Sequence, residues 1–314
     1  MNCNPFFSLL LSCHIGVIFL RLHATLKRPL SFINSKKIIM QSKTSTFKNK
    51  AGLNIFTRTW LPNGTTRGII IIAHGFNSHS GYYQWTAEQF TAQNFAVYAP
   101  DQQGRGKSEG ERFYTDNMYD AVADLDYVIG VAKREHPNLP VFLLGHSAGG
   151  VLACLYILEH QEKLNGLICE SFAFKLPAPD FALAVLKGVS HLAPHLHTIK
   201  LKNEDFSRDP EVVDAMNNDP LIADETESSK PIEQLVKTDE RLEKEFSKIT
   251  LPVFILHGTS DKAAKQSGSQ FFYDHVGSSD KTLKFYEGYY HDLLNDLDKE
   301  IVMNDIIEWV KKHS

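Results

Sequence analysis

Three residues of this chain could together perform nucleophilic chemistry: Ser147, Asp261 and His291. Ser147 lies in Gly145-His146-Ser147-Ala148-Gly149, after the apolar run Val141 to Leu144 and before the helically spaced apolar residues of Val151 to Glu159. A serine at such a strand-to-helix corner stands at the C-terminal edge of a sheet. Glycines two residues to either side leave space where a Cβ would collide with the neighbouring strand or helix. The next amide, Ala148 N–H, opens a helix, where negative charge is stabilised. A serine hydroxyl alone is a weak nucleophile; it needs a base, and the base needs a group to orient it. "VFILHG" ends before "TSD", presenting Asp261 after a strand, and "LKFYEG" ends before "YYHDLL", presenting His291. Serine, then acid, then histidine is the chain order that goes with this corner motif. Asp292 is the rival acid, but its adjacency to His291 leaves it poorly placed to reach that imidazole. His146 and His257 are expected to be structural. A developing oxyanion needs N–H donors; the expected ones are the backbone amides of Ala148 and of Phe76, which follows the turn ending "IIIIAHG".

These residues need a sheet to hold them, and the pattern supplies one. "TFKNKAGLNIFTRTWLP" reads as a hairpin turning near Ala51–Gly52. "GIIIIAHG", "FAVYAPD", "LPVFLLGH", "LNGLICESF", "LPVFILHG" and "KTLKFYEG" read as strands. Between them "GYYQWTAEQFTAQN", "MYDAVADLDYVIGVAKREH", the segment after Ser147, residues near Gly268 to Val276 and the C-terminus to Lys312 read as helices. Strands alternating with helices imply an α/β fold, a mostly parallel sheet covered on both faces. From Phe172 to about Lys248 the regularity fails, and this block reads as irregular helices and loops. The expected organisation is an N-terminal extension over 1–40, core over 41–171, a cap insertion over 172–248 and core again over 249–314.

Composition excludes several classes. With 33 Lys and Arg against 37 Asp and Glu, the net charge is −4 and no basic block suggests nucleic acid. The four cysteines, Cys3, Cys13, Cys154 and Cys169, form no C-x-x-C pair and read as thiols of a reducing compartment. "FFSLLLSCHIGVIFL", residues 6–20, is apolar but short for a span and lacks an A-x-A cleavage site; "LLSC" ending at Cys13 loosely resembles a lipoprotein cleavage box, but the missing basic region before it argues against one. It reads as an extension before a start at Met40, with a membrane anchor as the alternative; the expected location is cytoplasmic.

"AHGFNSHSGYY", "DQQGRGKSEGER", "LPVFLLGHSAGG", "NNDPLI", "LHGTSDK" and "KTLKFYEGYYHDLLND" as a set resemble the monoacylglycerol lipase group of α/β-hydrolases, over about Gly52 to Lys312. The resemblance implies a cofactor-free, capped serine hydrolase that cleaves one ester of a single-chain lipid; a transient contact of the cap with membrane surfaces is a separate expectation. The resemblance places the triad on Ser147, Asp261 and His291 and the oxyanion amides on Phe76 and Ala148. The family's methionine after the serine is replaced by Ala148. Where the family's mammalian enzyme grips glycerol with a glutamate, an arginine and a histidine, this chain has Ser78, Tyr82 and Leu294. A permissive esterase is therefore expected.

Two other patterns invite chemistry. His191, His195 and His197 have partly helical spacing, but Pro194 interrupts it and no metal is expected. "GRGKSEG" lacks the spacing of a phosphate loop and reads as a loop flooring the site. The competing functions are a peptidase, a lysophospholipase or a cofactor-free haloperoxidase on the same fold, and a binding module without catalysis. For acyl specificity, Phe181, Leu183, Val185, Leu186, Val189 and Leu192 are the expected apolar surface of the cap.

Overall fold

Apolar runs buried on both faces form the centre of the sheet. In the computed structural model, which describes residues 41–174 and 189–314, the runs Gly68–Ala73 (β3), Phe95–Pro100 (β4), Val141–His146 (β5), Gly166–Glu170 (β6) and Val253–Gly258 (β9) are buried along their whole length. Continuous burial with no alternation is what a parallel sheet covered on two sides requires. With the N-terminal hairpin Gln41–Lys48 (β1) and Asn54–Leu61 (β2), and with Lys281–Tyr286 (β10), they form an eight-stranded sheet in the order β1-β2-β4-β3-β5-β6-β9-β10. Within this sheet, among the described residues, only the pairs β1/β2 and β2/β4 are antiparallel. Gly52, at φ 79°, turns the hairpin where a side chain would be strained. The exposed edge strand β1 carries Lys43 and Lys48, which discourage pairing with another sheet.

Helices cover both faces. Gln84–Ala92 (α1) and Lys299–Lys312 (α7) pack on one side, where Phe90, Ile306 and Val310 meet Ile70, Phe142 and Leu144. Met118–Glu135 (α2), Ala148–His160 (α3) and Gln266–His275 (α6) lie on the other. In α2 the buried residues Met118, Val122, Leu125, Val128, Ile129 and Ala132 recur at three- and four-residue spacing, and the Asn117 side chain caps the first turn by accepting from Tyr119 N–H.

The chain leaves the sheet after β6 and returns at β9, the strand beside it. Across the described part of this insertion lie a short ribbon of His197–Ile199 (β7) and Glu227–Ser228 (β8), the helix Pro210–Asn218 (α4) and the helix Ser229–Glu245 (α5). The block is therefore more regular than its composition suggests. Asp209 caps α4 ahead of Pro210, and α5 buries Ile232, Leu235 and Leu242 on one stripe despite its many charges. Leu235, Leu242, Phe172 and Phe174 join the core cluster with Phe246 and Phe272, so the described residues form one compact unit. The N-terminal extension lies outside the described residues. Among the described residues no helix is long and apolar enough to cross a membrane.

Candidate active site

Ser147 links β5 to α3 at φ 55°, ψ −122°, a combination that non-glycine residues rarely adopt and that costs of order 1–3 kcal/mol. Its neighbours enforce the corner. A Cβ on Gly145 would stand 2.7 Å from Gly149 O and 2.8 Å from Gly150 Cα, and one on Gly149 would run into Ala73 O. Across the strand gap, a Cβ on Gly75 would approach Ser147 Cβ to 2.8 Å. The corner is locked from β6 as well, since Ser147 N–H donates to Glu170 O at 2.9 Å.

Asp261 follows β9 and His291 follows β10, so parallel neighbours bring both to the same sheet edge. His291 Nδ1 lies 2.7 Å from Asp261 Oδ2, with both side chains 1% exposed. The other carboxylate oxygen, Asp261 Oδ1, accepts from Ala263 N–H at 2.8 Å and Ala264 N–H at 2.9 Å. Burial alone would raise this carboxyl's pKa. Attraction to the His291 ring when it is protonated, and then the His257 and His291 rings beside it, outweigh burial and hold Asp261 well below the ordinary carboxylate range. Sequence reasoning gave His257 no part in this site. Its Nε2 sits 3.0 Å from Asp261 Oδ2 but out of line for a hydrogen bond, while Nδ1 meets Ser269 Oγ at 2.8 Å.

Asp292 turns away from the imidazole. Both its oxygens accept from Asn295 Nδ2 at 3.1 Å, and burial pushes its pKa up to about 6. Near it, burial and then the charge of Asp292 raise the Glu170 pKa far above the usual value. His146, Glu170 and Asp292 hold ligand-type atoms within 4.8 Å of one another. Part of their hydrogen-bonding capacity is used within the protein, while Glu170 Oε2 is buried without a partner. Glu170 Oε1 accepts from Leu294 N–H at 3.1 Å, and the His146 ring lies 3.3 Å from Tyr83 Oη and 3.4 Å from His291 O. Burial, and then the neighbouring His291, lowers the His146 pKa to about 3, so this ring is neutral. The histidines at 191, 195 and 197 go separate ways, toward Glu233, Glu111 and Thr226 O respectively.

The turn after β3 is braced by His74. Its Nδ1 donates to Gly75 O at 2.8 Å and its Nε2 accepts from Gln102 N–H at 3.0 Å, a neutral tautomer consistent with a pKa lowered to about 4, chiefly by burial. Phe76 follows directly. Phe76, Ser147, Ala148 and His291 line one cavity of about 290 Å³. The rest of its wall is mainly apolar, from Ala173, Ile199, Leu201, Phe206, Ile232 and Leu235, with Lys200, Lys202, Lys262, Asp205 and Glu227 adding polar groups.

The residues substituted for a glycerol grip fall elsewhere. Ser78, Tyr82 and Leu294 do not line this cavity. Ser78 is buried, Tyr82 packs edge-on against His79 with ring centroids 5.0 Å apart, and Leu294 is fully buried against the α7 side of the sheet. Of the apolar cap surface read from the sequence, Phe181, Leu183, Val185 and Leu186 lie outside the described residues. Val189 is half-buried, and Leu192 is 91% exposed and away from the cavity. The described apolar wall comes instead from residues 199–206 and from α5, whose periodic pattern was the available signal.

Comparison with known proteins follows the same lines. Residues 64–298 match the family described as serine aminopeptidase, S33. The monoacylglycerol lipase of Mycolicibacterium smegmatis is 30% identical over 269 residues, covering 85% of this chain and 96% of the relative. The monoglyceride lipase of Homo sapiens is 32% identical over 271 residues, covering 85% and 89%. Among solved structures, the monoacylglycerol lipase of Paleococcus ferrophilus superposes with a TM-score of 0.74 at 30% identity, covering 88% of this chain and all of the other. A soluble variant of the Saccharomyces cerevisiae monoglyceride lipase, bound to a substrate analogue, gives 0.78 at 21% identity over 89% and 96%, a likeness of fold.

Proposed function

Because the chain belongs to the serine aminopeptidase S33 family, and within it to the monoacylglycerol lipase-like α/β-hydrolases, we propose that Ser147, His291 and Asp261 are the triad of a serine hydrolase acting on esters of single-chain lipids. The enzyme is a carboxylic ester hydrolase. The observation that carries the site assignment is the strained Ser147 corner, which opens into the same apolar cavity as an imidazole held by a buried carboxylate.

The chemistry follows from those positions. His291 Nδ1–H donates to Asp261, which leaves Nε2 unprotonated and able to take the Ser147 proton as Oγ attacks the ester carbonyl. The amides of Phe76 and Ala148 receive the negative oxygen of the tetrahedral intermediate. Imidazolium then protonates the leaving alcohol, and the acyl chain stays on Ser147 until water, activated by the same imidazole, releases the acid. The apolar wall from Ile199 to Leu235 suits the acyl chain, since each methylene buried there is worth roughly 0.8 kcal/mol.

A peptidase is the less favoured reading. It would need a free carboxylate to grip a substrate's ammonium group. The acids of the cavity wall are both matched by cations, Glu227 by Arg105 at 2.7 Å and Asp205 by Lys262 at 3.8 Å. A cytoplasmic location belongs to the same proposal and rests on Cys154 and Cys169, which pack as buried free thiols. So does a transient contact of the cap with lipid surfaces, which the exposure of Leu192 (91%) and Leu196 (53%) supports.

The test is labelling by a fluorophosphonate, followed by hydrolysis of p-nitrophenyl esters from acetate to palmitate beside the matching monoacylglycerols. Labelling that Ser147→Ala abolishes is expected. Unlabelled wild-type protein, or faster cleavage of an aminoacyl anilide than of a butyrate ester, would overturn the reading.

A further inference from the structure

Arg105, on the loop between β4 and α2, is 1% exposed, and it reaches into the cap insertion rather than toward solvent. Its Nη2 pairs with both oxygens of Glu227 at 2.7 and 2.8 Å, and its Nη1 pairs with Glu225 Oε1. The same Glu225 oxygen accepts from the backbone N–H of Asn77 at 2.8 Å. Asn77 follows Phe76 and has φ 48°, the left-handed region, where a non-glycine residue must be held by its surroundings. Its side chain is held as well, Nδ2 donating to Asn203 Oδ1 at 2.8 Å, and Asn203 in turn donates to Asn217 Oδ1 at 2.9 Å. Finally, the Arg105 guanidinium lies over the Phe76 ring, 4.3 Å from its centroid.

Every described hydrogen bond that fixes Asn77 in this turn therefore ends on the insertion, and the Phe76 side chain is covered by a cation that the insertion neutralises. We propose that the cap serves the reaction as well as covering the acyl chain: Glu225, with Arg105, positions the Phe76–Asn77 turn so that the Phe76 amide points at the oxyanion. This rests on the reading of Phe76 N–H as an oxyanion donor. Glu225 and Arg105 touch no reacting atom; they act through the turn. A donor is useful only when it is aimed at the position the charged oxygen takes, so losing its support weakens transition-state binding more than substrate binding.

The experiment compares Glu225→Gln, Glu225→Ala and Asn203→Ala with wild type on p-nitrophenyl butyrate. It also measures binding of two probes: an alkyl trifluoromethyl ketone, which adds to the serine and places an oxyanion in the hole, and 1-O-octylglycerol, an uncleavable ether that mimics bound substrate. Glu225→Ala should lower kcat about 10- to 100-fold with KM changed less than about threefold. Trifluoromethyl ketone affinity should fall in parallel while ether affinity holds. Glu225→Gln keeps an acceptor for Asn77 N–H and should recover most of kcat. Asn203→Ala should lose kcat in the same sense by a smaller factor, and it decides the matter should Glu225→Ala not fold. Wild-type kcat in the folded Ala variants, or equal loss of affinity for both probes, overturns the proposal. Failure of the site reading itself would look different: wild-type protein would then not bind the ketone, or Ser147→Ala would still turn over.

Discussion

His291 meets Asp261, thirty positions earlier in the chain, at 2.7 Å, while Asp292, its immediate neighbour, faces Asn295 instead. Register explains the choice. β9 and β10 run parallel and end side by side, so loops that follow them share one edge. A residue next to His291 would need the backbone to fold back on itself. Asp261→Asn should lower kcat roughly 10⁴-fold through the wrong imidazole tautomer. Ser147→Ala should lose on the order of 10⁶. Asp292→Asn should stay within about tenfold of wild type. Steady-state kinetics on one ester checks all three, and a larger loss for Asp292→Asn than for Asp261→Asn would reverse the assignment.

Asp292 should instead appear in stability. Its folded pKa is raised from 3.8 to about 6, so between those values the native state binds more protons than the unfolded chain. Stability from this group therefore falls as pH rises from about 4 to 6 and stays lower above, by at most about 3 kcal/mol. Asp292→Asn should melt at a higher temperature than wild type at pH 8, and by a smaller margin at pH 4. Equal Tm differences at both pH values would contradict this.

Gly149→Ala should destroy the corner. The added methyl would overlap Ala73 O, a backbone atom of a central strand that cannot move aside. Loss of fluorophosphonate labelling and a Tm lowered by several degrees are expected, whereas Gly52→Ala in the open hairpin turn should leave labelling intact. Full labelling of Gly149→Ala would show that the corner tolerates a Cβ.

The acyl wall gives a chain-length prediction. kcat/KM should rise from acetate to about C4–C8, since four buried methylenes contribute roughly 3 kcal/mol. Ile232→Trp and Leu235→Trp place bulk in the cavity wall and should move the optimum to shorter chains. With Leu294 buried and Ser78 and Tyr82 off the cavity wall, monoacylglycerols and simple alkyl esters of the same acid should differ by less than about tenfold. A flat chain-length profile in wild type would separate the cavity from acyl binding.

Much of the architecture was legible because the signals are local. Runs such as Ile69–Ile72 and Val141–Leu144 have no polar relief, and only strands buried on both faces explain them. The insertion was harder. Prolines and charges over 205–231 hid α4 and the start of α5, although Asp209–Pro210 is a cap followed by a first-turn proline and Ile232, Leu235 and Leu242 keep helical spacing. In such a helix the exposed face dominates composition, and only the periodicity of the buried face carries the signal.

Ser147, its glycines and the order serine, acid, histidine are properties of the sequence alone, because a strained corner needs particular residues at particular spacings and a parallel α/β sheet delivers later loops to one edge. What the tertiary structure decided are the contacts made by residues with no shared motif. Arg105 finds Glu225 and Glu227 about 120 positions away, Asn77 finds Asn203, and His257 comes to lie beside Asp261. Glutamates in a polar stretch look solvated until the insertion folds onto the loop after β4. Burial then makes a charge without a partner too costly, and geometry alone determines which cation they meet.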